Sequence, residues 1–236
     1  MTDLHLVLLP GMDGTGELFA PLLAELPLEL PVTVVRYPDR AATYADHADV
    51  ARAELPRDQP FVLLAESFSG PVAVRLAAEA RSNLRGLILC ASFLTCPNLL
   101  LRALRPLTPI ASPKLLPGFV ASHSLLGGFA TPRLRAAHAR ALSHVSSRTL
   151  TARLRAMADV DVRADVRGLD RPALYLRGTR DRIVRARFGE EFVATARHGR
   201  LVDVDAPHFL LQARPREAAA AILGFLEDIA PNVPRR

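Results

Sequence analysis

The sequence predicts an α/β protein: a mostly parallel sheet of about six strands with helices on both faces, and a helical cap inserted into it. Three observations predict this. Apolar runs of strand length alternate with segments of helical spacing. The runs are continuous rather than alternating, as in strands buried on both faces, and glycine, proline or serine stops several of them. One stretch breaks the alternation and holds no convincing strand. The expected organisation is a core of residues 1–95 and 167–236 with a cap insertion of residues 96–166.

The elements follow in order. Leu4–Leu9 is the first strand, ended by Pro10 and the glycine-rich loop Gly11-Met12-Asp13-Gly14-Thr15-Gly16. Leu18, Leu22, Leu23 and Leu26 suggest a helix that Pro21 interrupts early. Val32–Arg36 reads as the second strand and Tyr44–Leu55 as a helix with Ala48, Val50, Ala51 and Leu55 inward. Phe61–Ala65 is the third strand, followed by a helix carrying Val72, Ala73, Leu76, Ala77 and Ala80, and Leu84–Ala91 is the fourth. Beyond Ser92, prolines at 97, 106, 109, 113, 117 and 132 divide the sequence into helical pieces: Leu99–Leu104, Lys114–Ser122, Pro132–His144 and Arg148–Ala158. Strands then return at Pro172–Arg177 and Arg200–Val204, separated by a helix over Arg187–Ala196. A closing helix over Leu210–Ile229 is interrupted near Pro215.

Composition bounds the function. Half of the 236 residues are hydrophobic, enough for a core without staples. Cys90 and Cys96 are too few for a disulfide scaffold, and Cys90 reads as a core residue. Met1-Thr2-Asp3 leads directly into an apolar run too short to span a membrane and without a basic leader, so a soluble cytoplasmic protein is expected. Residues 97–167 hold eleven basic side chains against three acids, whereas the chain as a whole carries +6. The simplest reading is an arginine-rich solvated face. The sharper one is attraction of an acidic carrier protein, a coenzyme thioester or an anionic surface. No nucleic-acid partner is expected, and no His/Cys/Asp cluster has metal-ligand spacing.

The chemistry gathers at the strand ends, where ligands bind in parallel sheets. Ala65-Glu66-Ser67-Phe68-Ser69-Gly70 links strand to helix through a serine between small residues, the layout of a nucleophile elbow. Gly178-Thr179-Arg180-Asp181 follows the fifth strand, and Asp205-Ala206-Pro207-His208 follows the last. A serine needs a base to ionise at neutral pH, and an imidazole base needs an acid to fix its tautomer. Ser67, Asp181 and His208 supply that set in chain order. Each alone has a blander reading: a helix cap, a turn residue, a structural histidine. Asp39, Asp159, Asp161 and Asp205 are competing acids, and the remaining histidines read as surface or cap residues.

Together with Leu9-Pro10-Gly11 and Ala206-Pro207-His208-Phe209, these motifs make the sequence resemble the α/β-hydrolase superfamily over nearly its whole length. The resemblance implies Ser67 as nucleophile, Asp181 as acid and His208 as base, with the backbone N–H groups of Met12 and Phe68 forming the oxyanion hole. The sequence departs from the family pattern by lacking two leading strands, by having Pro10 before Gly11, and by Ala65 before Glu66. Ser69 is a poor rival nucleophile inside the helix start, and Glu66 has no assigned role.

The expected activity is hydrolysis of a carboxylic ester or thioester of an apolar acyl group through an acyl-enzyme, without a cofactor. Phe93 and Leu94 are the candidate substrate-binding residues beside the Leu-, Pro- and Ala-rich cap. A catalytically idle receptor of the same fold is the main alternative. A nicotinamide-nucleotide oxidoreductase is a weaker one: Gly11-x-x-Gly14-x-Gly16 with Asp39 carries such a skeleton, but its glycine order is reversed.

Overall fold

The computed structural model describes residues 4–79, 81–98 and 123–230. Six strands form one sheet: β1 (His5–Leu9), β2 (Val32–Val34), β3 (Phe61–Glu66), β4 (Leu84–Cys90), β5 (Ala173–Gly178) and β6 (Gly199–Val204). Their order is β2-β1-β3-β4-β5-β6 and every neighbouring pair is parallel. Register aligns the carboxyl ends: Leu9 sits beside Ala65, Glu66 beside Cys90, Cys90 beside Leu176, and Gly178 beside Val204.

The apolar runs are continuous because both faces are covered. Val7, Leu63, Leu87 and Tyr175 point into a core shared with α2 (Tyr44–Ala53), α3 (Gly70–Ala78), α6 (Arg163–Arg167) and α7 (Arg187–Thr195). Their neighbours Leu6, Leu64, Ile88 and Leu174 point into a second core under α1 (Ala20–Leu23), α8 (Leu210–Ala213) and α9 (Pro215–Ile229). Side chains alternate across the sheet, so each run feeds both cores.

Helix boundaries follow local signals. Thr43 and Asp46 make a reciprocal capping box at the start of α2. The expected helix at Leu18–Leu26 is shorter: a 3-10 turn over Glu17–Phe19 precedes the four residues of α1, with Pro21 at its start. Pro215 separates α8 from α9, as the sequence suggested.

Between β4 and β5 lie α4 (Pro132–Ser143), α5 (Ser147–Ala158) and α6, the last not anticipated from sequence. The expected helices Leu99–Leu104 and Lys114–Ser122 fall outside the described residues. Leu18, Leu126, Ala141 and Phe209 form a small apolar cluster that seats α4 beside the carboxyl edge of the sheet. Among the described residues no helix is long and apolar enough to cross a membrane.

Candidate active site

The carboxyl edge brings three loops together. At the end of β3 the backbone turns sharply, and Ser67 takes a left-handed φ of 49°. A side chain in that region carries strain that the surroundings must hold. They do so closely: Ser92, just after β4, donates its hydroxyl to the Ser67 carbonyl oxygen at 2.6 Å. Tyr175 locks Ser92 in turn, accepting from its N–H at 3.0 Å and donating to its C=O at 2.5 Å. Gly70 fits beneath because it lacks a side chain; a Cβ there would stand 1.8 Å from Ser92 Oγ.

Ser67 Oγ lies 2.9 Å from His208 Nε2, although 141 residues separate them. On the other side of the ring, His208 Nδ1 lies 2.8 Å from Asp181 Oδ2. With the carboxylate accepting at Nδ1–H, Nε2 is free to accept the Ser67 hydroxyl proton. Asp181 Oδ1 accepts from the N–H groups of Ile183 at 2.7 Å and Val184 at 2.9 Å, which orients the carboxylate. The side chains of His208 and Asp181 are 5% and 2% exposed, so water competes little for the contact. Such an array can move a proton from hydroxyl to imidazole and stabilise the imidazolium.

Of the two residues expected to supply oxyanion N–H groups, Phe68 follows Ser67 directly and Met12 lies in the loop after β1. Tyr44 donates to the Phe68 carbonyl oxygen at 3.1 Å while its ring stacks on Phe68, with centroids 4.9 Å apart. Arg153, from α5, donates to the Met12 carbonyl oxygen at 2.8 Å. These bonds hold the peptide planes that follow Phe68 and Met12.

Glu66, which the sequence left without a role, is buried under the loop after β1. Gln212 of α8 donates to its Oε1 at 2.9 Å. Burial pushes its pKa up to about 7, with the Asp13 carboxylate adding to the rise and the Gln212 bond and His208 opposing it. Ser69 is occupied with Tyr37 Oη at 2.9 Å and with the Pro10 carbonyl, so it belongs to the scaffold. Among the competing acids, Asp205 pairs with Arg180, Asp161 with Arg163, and Asp39 accepts from Ser146 at the start of α5.

Phe93 and Leu94 are wholly buried in the core shared with Phe68 and Val160. A cleft of about 200 Å³ lies between Gly127–Phe129 and the loops holding Arg180, Arg182 and Pro207, and neither Phe93 nor Leu94 is in its lining. His47 departs from the surface position expected of it: it is fully buried against Tyr37 and Phe68. Nor is the basic segment simply a solvated face, because Arg153 is entirely inside the protein. Arg153, Tyr37, Tyr44, Ser92 and Gln212 were not identified from sequence, since no motif or spacing marks them.

No functionally curated protein matches the chain. Solved structures do. The enol-lactonase from Burkholderia xenovorans LB400 superposes with a TM-score of 0.82 at 18% identity, over 94% of this chain and 90% of that one. The thermophilic esterase from Thermogutta terrifontis gives 0.78 at 20% identity, over 97% and 90%. MenH from S. aureus gives 0.76 at 16% identity, over 97% and 95%. At these identities the likeness is one of fold. The family model for serine aminopeptidase S33 matches residues 33–210, and the chain therefore belongs to that family, a hydrolase with the α/β-hydrolase fold.

Proposed function

We propose that the protein is a serine hydrolase acting on a carboxylic ester or thioester with an apolar acyl group. The observation that carries the reading is the continuous contact Ser67 Oγ–His208 Nε2 at 2.9 Å and His208 Nδ1–Asp181 Oδ2 at 2.8 Å. His208 takes the hydroxyl proton as Ser67 Oγ attacks the carbonyl carbon. The resulting oxyanion is met by the N–H groups of Phe68 and Met12, donors that need no rearrangement when charge develops. Collapse expels the alcohol or thiol, protonated by His208, and leaves an acyl-Ser67. Water, deprotonated by the same imidazole, then releases the acid.

The ester assignment draws on relatives described as an enol-lactonase and as esterases. The Leu-, Pro- and Ala-rich segment 96–166 is the proposed cap, and its apolar composition favours an apolar acyl group.

The test is labelling with a fluorophosphonate and mass mapping of the adduct. An adduct on Ser67 that His208→Ala abolishes supports the reading; an unlabelled protein overturns it in favour of an idle receptor. A chain-length series of nitrophenyl esters, run beside thioesters and aminoacyl nitroanilides, separates ester, thioester and peptidase activity.

A further inference from the structure

Among the described residues Arg153 is the largest fully buried side chain, and no other arginine or lysine is buried. Taking a guanidinium out of water costs several kcal/mol unless its surroundings compensate. Its surroundings are the loop after β1. Nη1 donates to two successive carbonyl oxygens, Met12 and Asp13, each at 2.8 Å. Nη2 reaches the Pro38 carbonyl oxygen at 3.4 Å, and the guanidinium carbon lies 5.8 Å from the Tyr37 ring centroid. Burial pulls the Arg153 pKa down, while Asp13, Tyr37 and Asp39 oppose the fall. The loop is shaped around this group: Gly14 has φ 70°, and a Cβ on it would stand 2.6 Å from Nη1.

Other groups hold three of the carbonyls in this part of the loop. Pro10 O accepts from Ser69, Gly11 O from Gly14 N at 3.0 Å, and Gly14 O from Tyr37 N at 2.8 Å. From Pro10 to Gly14 this leaves two carbonyls, Met12 and Asp13, and those are the ones that Arg153 takes. Neighbouring core elements hold the ends of the loop, and the segment between β4 and β5 holds its middle. That segment is itself tied down at this point, because Ser146 at the start of α5 donates N–H and hydroxyl to Asp39, each at 2.9 Å.

We infer that Arg153 is a positioning residue for the reaction: by fixing the Met12 and Asp13 carbonyls it holds the middle of the Gly11–Gly14 turn that presents the Met12 N–H, and it makes α5 part of the site. This rests on the proposed role of Met12 as an oxyanion donor. A lysine keeps the charge and carries N–H groups enough for both carbonyls, but its shorter, single-nitrogen head cannot also keep the Pro38 contact that Nη2 makes or the flat guanidinium beside Tyr37. A methionine fills the volume and satisfies neither.

The experiment compares wild type, Arg153→Lys and Arg153→Met in kcat, KM and the affinities for two inhibitors. One is an alkyl boronic acid, which forms a tetrahedral adduct; the other is the carboxylate product. The expected result for Arg153→Met is a kcat lower by about 10- to 100-fold, somewhat less than the loss of a whole oxyanion donor. KM should stay within about twofold, boronate affinity should fall in step with kcat/KM, and product affinity should hold. Arg153→Lys should lie between the two, and it carries the test alone if the methionine variant does not fold. Variants whose boronate-to-product affinity ratio equals that of wild type, with activity falling only as the folded fraction falls, would overturn the role. Fluorophosphonate labelling of wild-type Ser67 is the control. Its absence defeats the hydrolase reading itself, whereas labelling with an unchanged ratio defeats only the role of Arg153.

Discussion

The hydroxyl of Ser92 is bonded to the carbonyl oxygen of Ser67 at 2.6 Å, so the end of β4 braces the strained turn at the end of β3. The brace leaves no room for a side chain at Gly70, where a Cβ would stand 1.8 Å from Ser92 Oγ and 2.8 Å from Ser92 Cβ. Gly70→Ala is expected to destabilise the protein by about 1–3 kcal/mol, the usual cost of overpacking. Adding Ser92→Gly should recover most of that loss. Urea denaturation of the four members of this double-mutant cycle measures the coupling, and strict additivity would refute the clash.

The left-handed backbone of Ser67 makes a second prediction. Ser67→Ala and Ser67→Gly both remove the hydroxyl and should both abolish ester hydrolysis. They differ in the Cβ, which is strained at φ 49°. Glycine in ordinary structure is about 0.5–1 kcal/mol less stable than alanine. Here Ser67→Gly should instead be at least as stable as Ser67→Ala by thermal unfolding.

Asp181 is oriented by two backbone N–H groups on one oxygen and presents the other to His208 at 2.8 Å. Asp181→Asn keeps the shape but removes the charge and can turn an NH₂ toward the ring, favouring the wrong tautomer. Losses for such changes in Ser-His-Asp enzymes are about 10⁴ in kcat. A loss of that order with KM little changed is expected in nitrophenyl ester assays. A loss below tenfold would assign the acid elsewhere.

Two buried groups give opposing pH dependences of stability. Burial raises Glu66 from an ordinary value of 4.5 to about 7, so the folded state binds this proton more tightly than the unfolded state. Stability from this group is full below about pH 4.5 and is lost as pH rises through 7. Burial lowers His47 from 6.5 to about 4, with the Arg153 charge acting in the same direction, so its contribution is full above 6.5 and is lost as pH falls through 4. Glu66→Gln can keep the Gln212 bond, and it should stabilise the protein at pH 8 by on the order of 3 kcal/mol, with little effect at pH 4. Among the described residues His47 has no hydrogen-bond partner on either nitrogen. His47→Leu should therefore stabilise the protein more at pH 5 than at pH 8. Denaturation midpoints across this range check both.

The six strands were legible because a strand buried on both faces is a continuous apolar run, and turn residues bound these runs well. Ser67, Asp181 and His208 were legible because each follows directly from the end of such a strand. Less local features were not. Arg153 looked like one of many surface arginines, and nothing near it in sequence announces Met12, 141 residues away. His47 sits among acids and alanines that suggest solvent, yet packing with Tyr37 and Phe68 turns it inward. The helix at Leu18–Leu26 shortened because a leucine periodicity does not outweigh Pro21 and a tight 3-10 entry.

The outer strands of the sheet have a consequence for behaviour at high concentration. β2 is three residues long, and β6 carries Arg200 and Asp203, paired with Asp228 and Arg177. An unprotected edge strand is a template on which another molecule can add a strand. One edge here is too short to guide such growth, and the other carries charged side chains, Arg200 and Asp203. Edge-to-edge aggregation of the folded protein is therefore discouraged at both ends of the sheet.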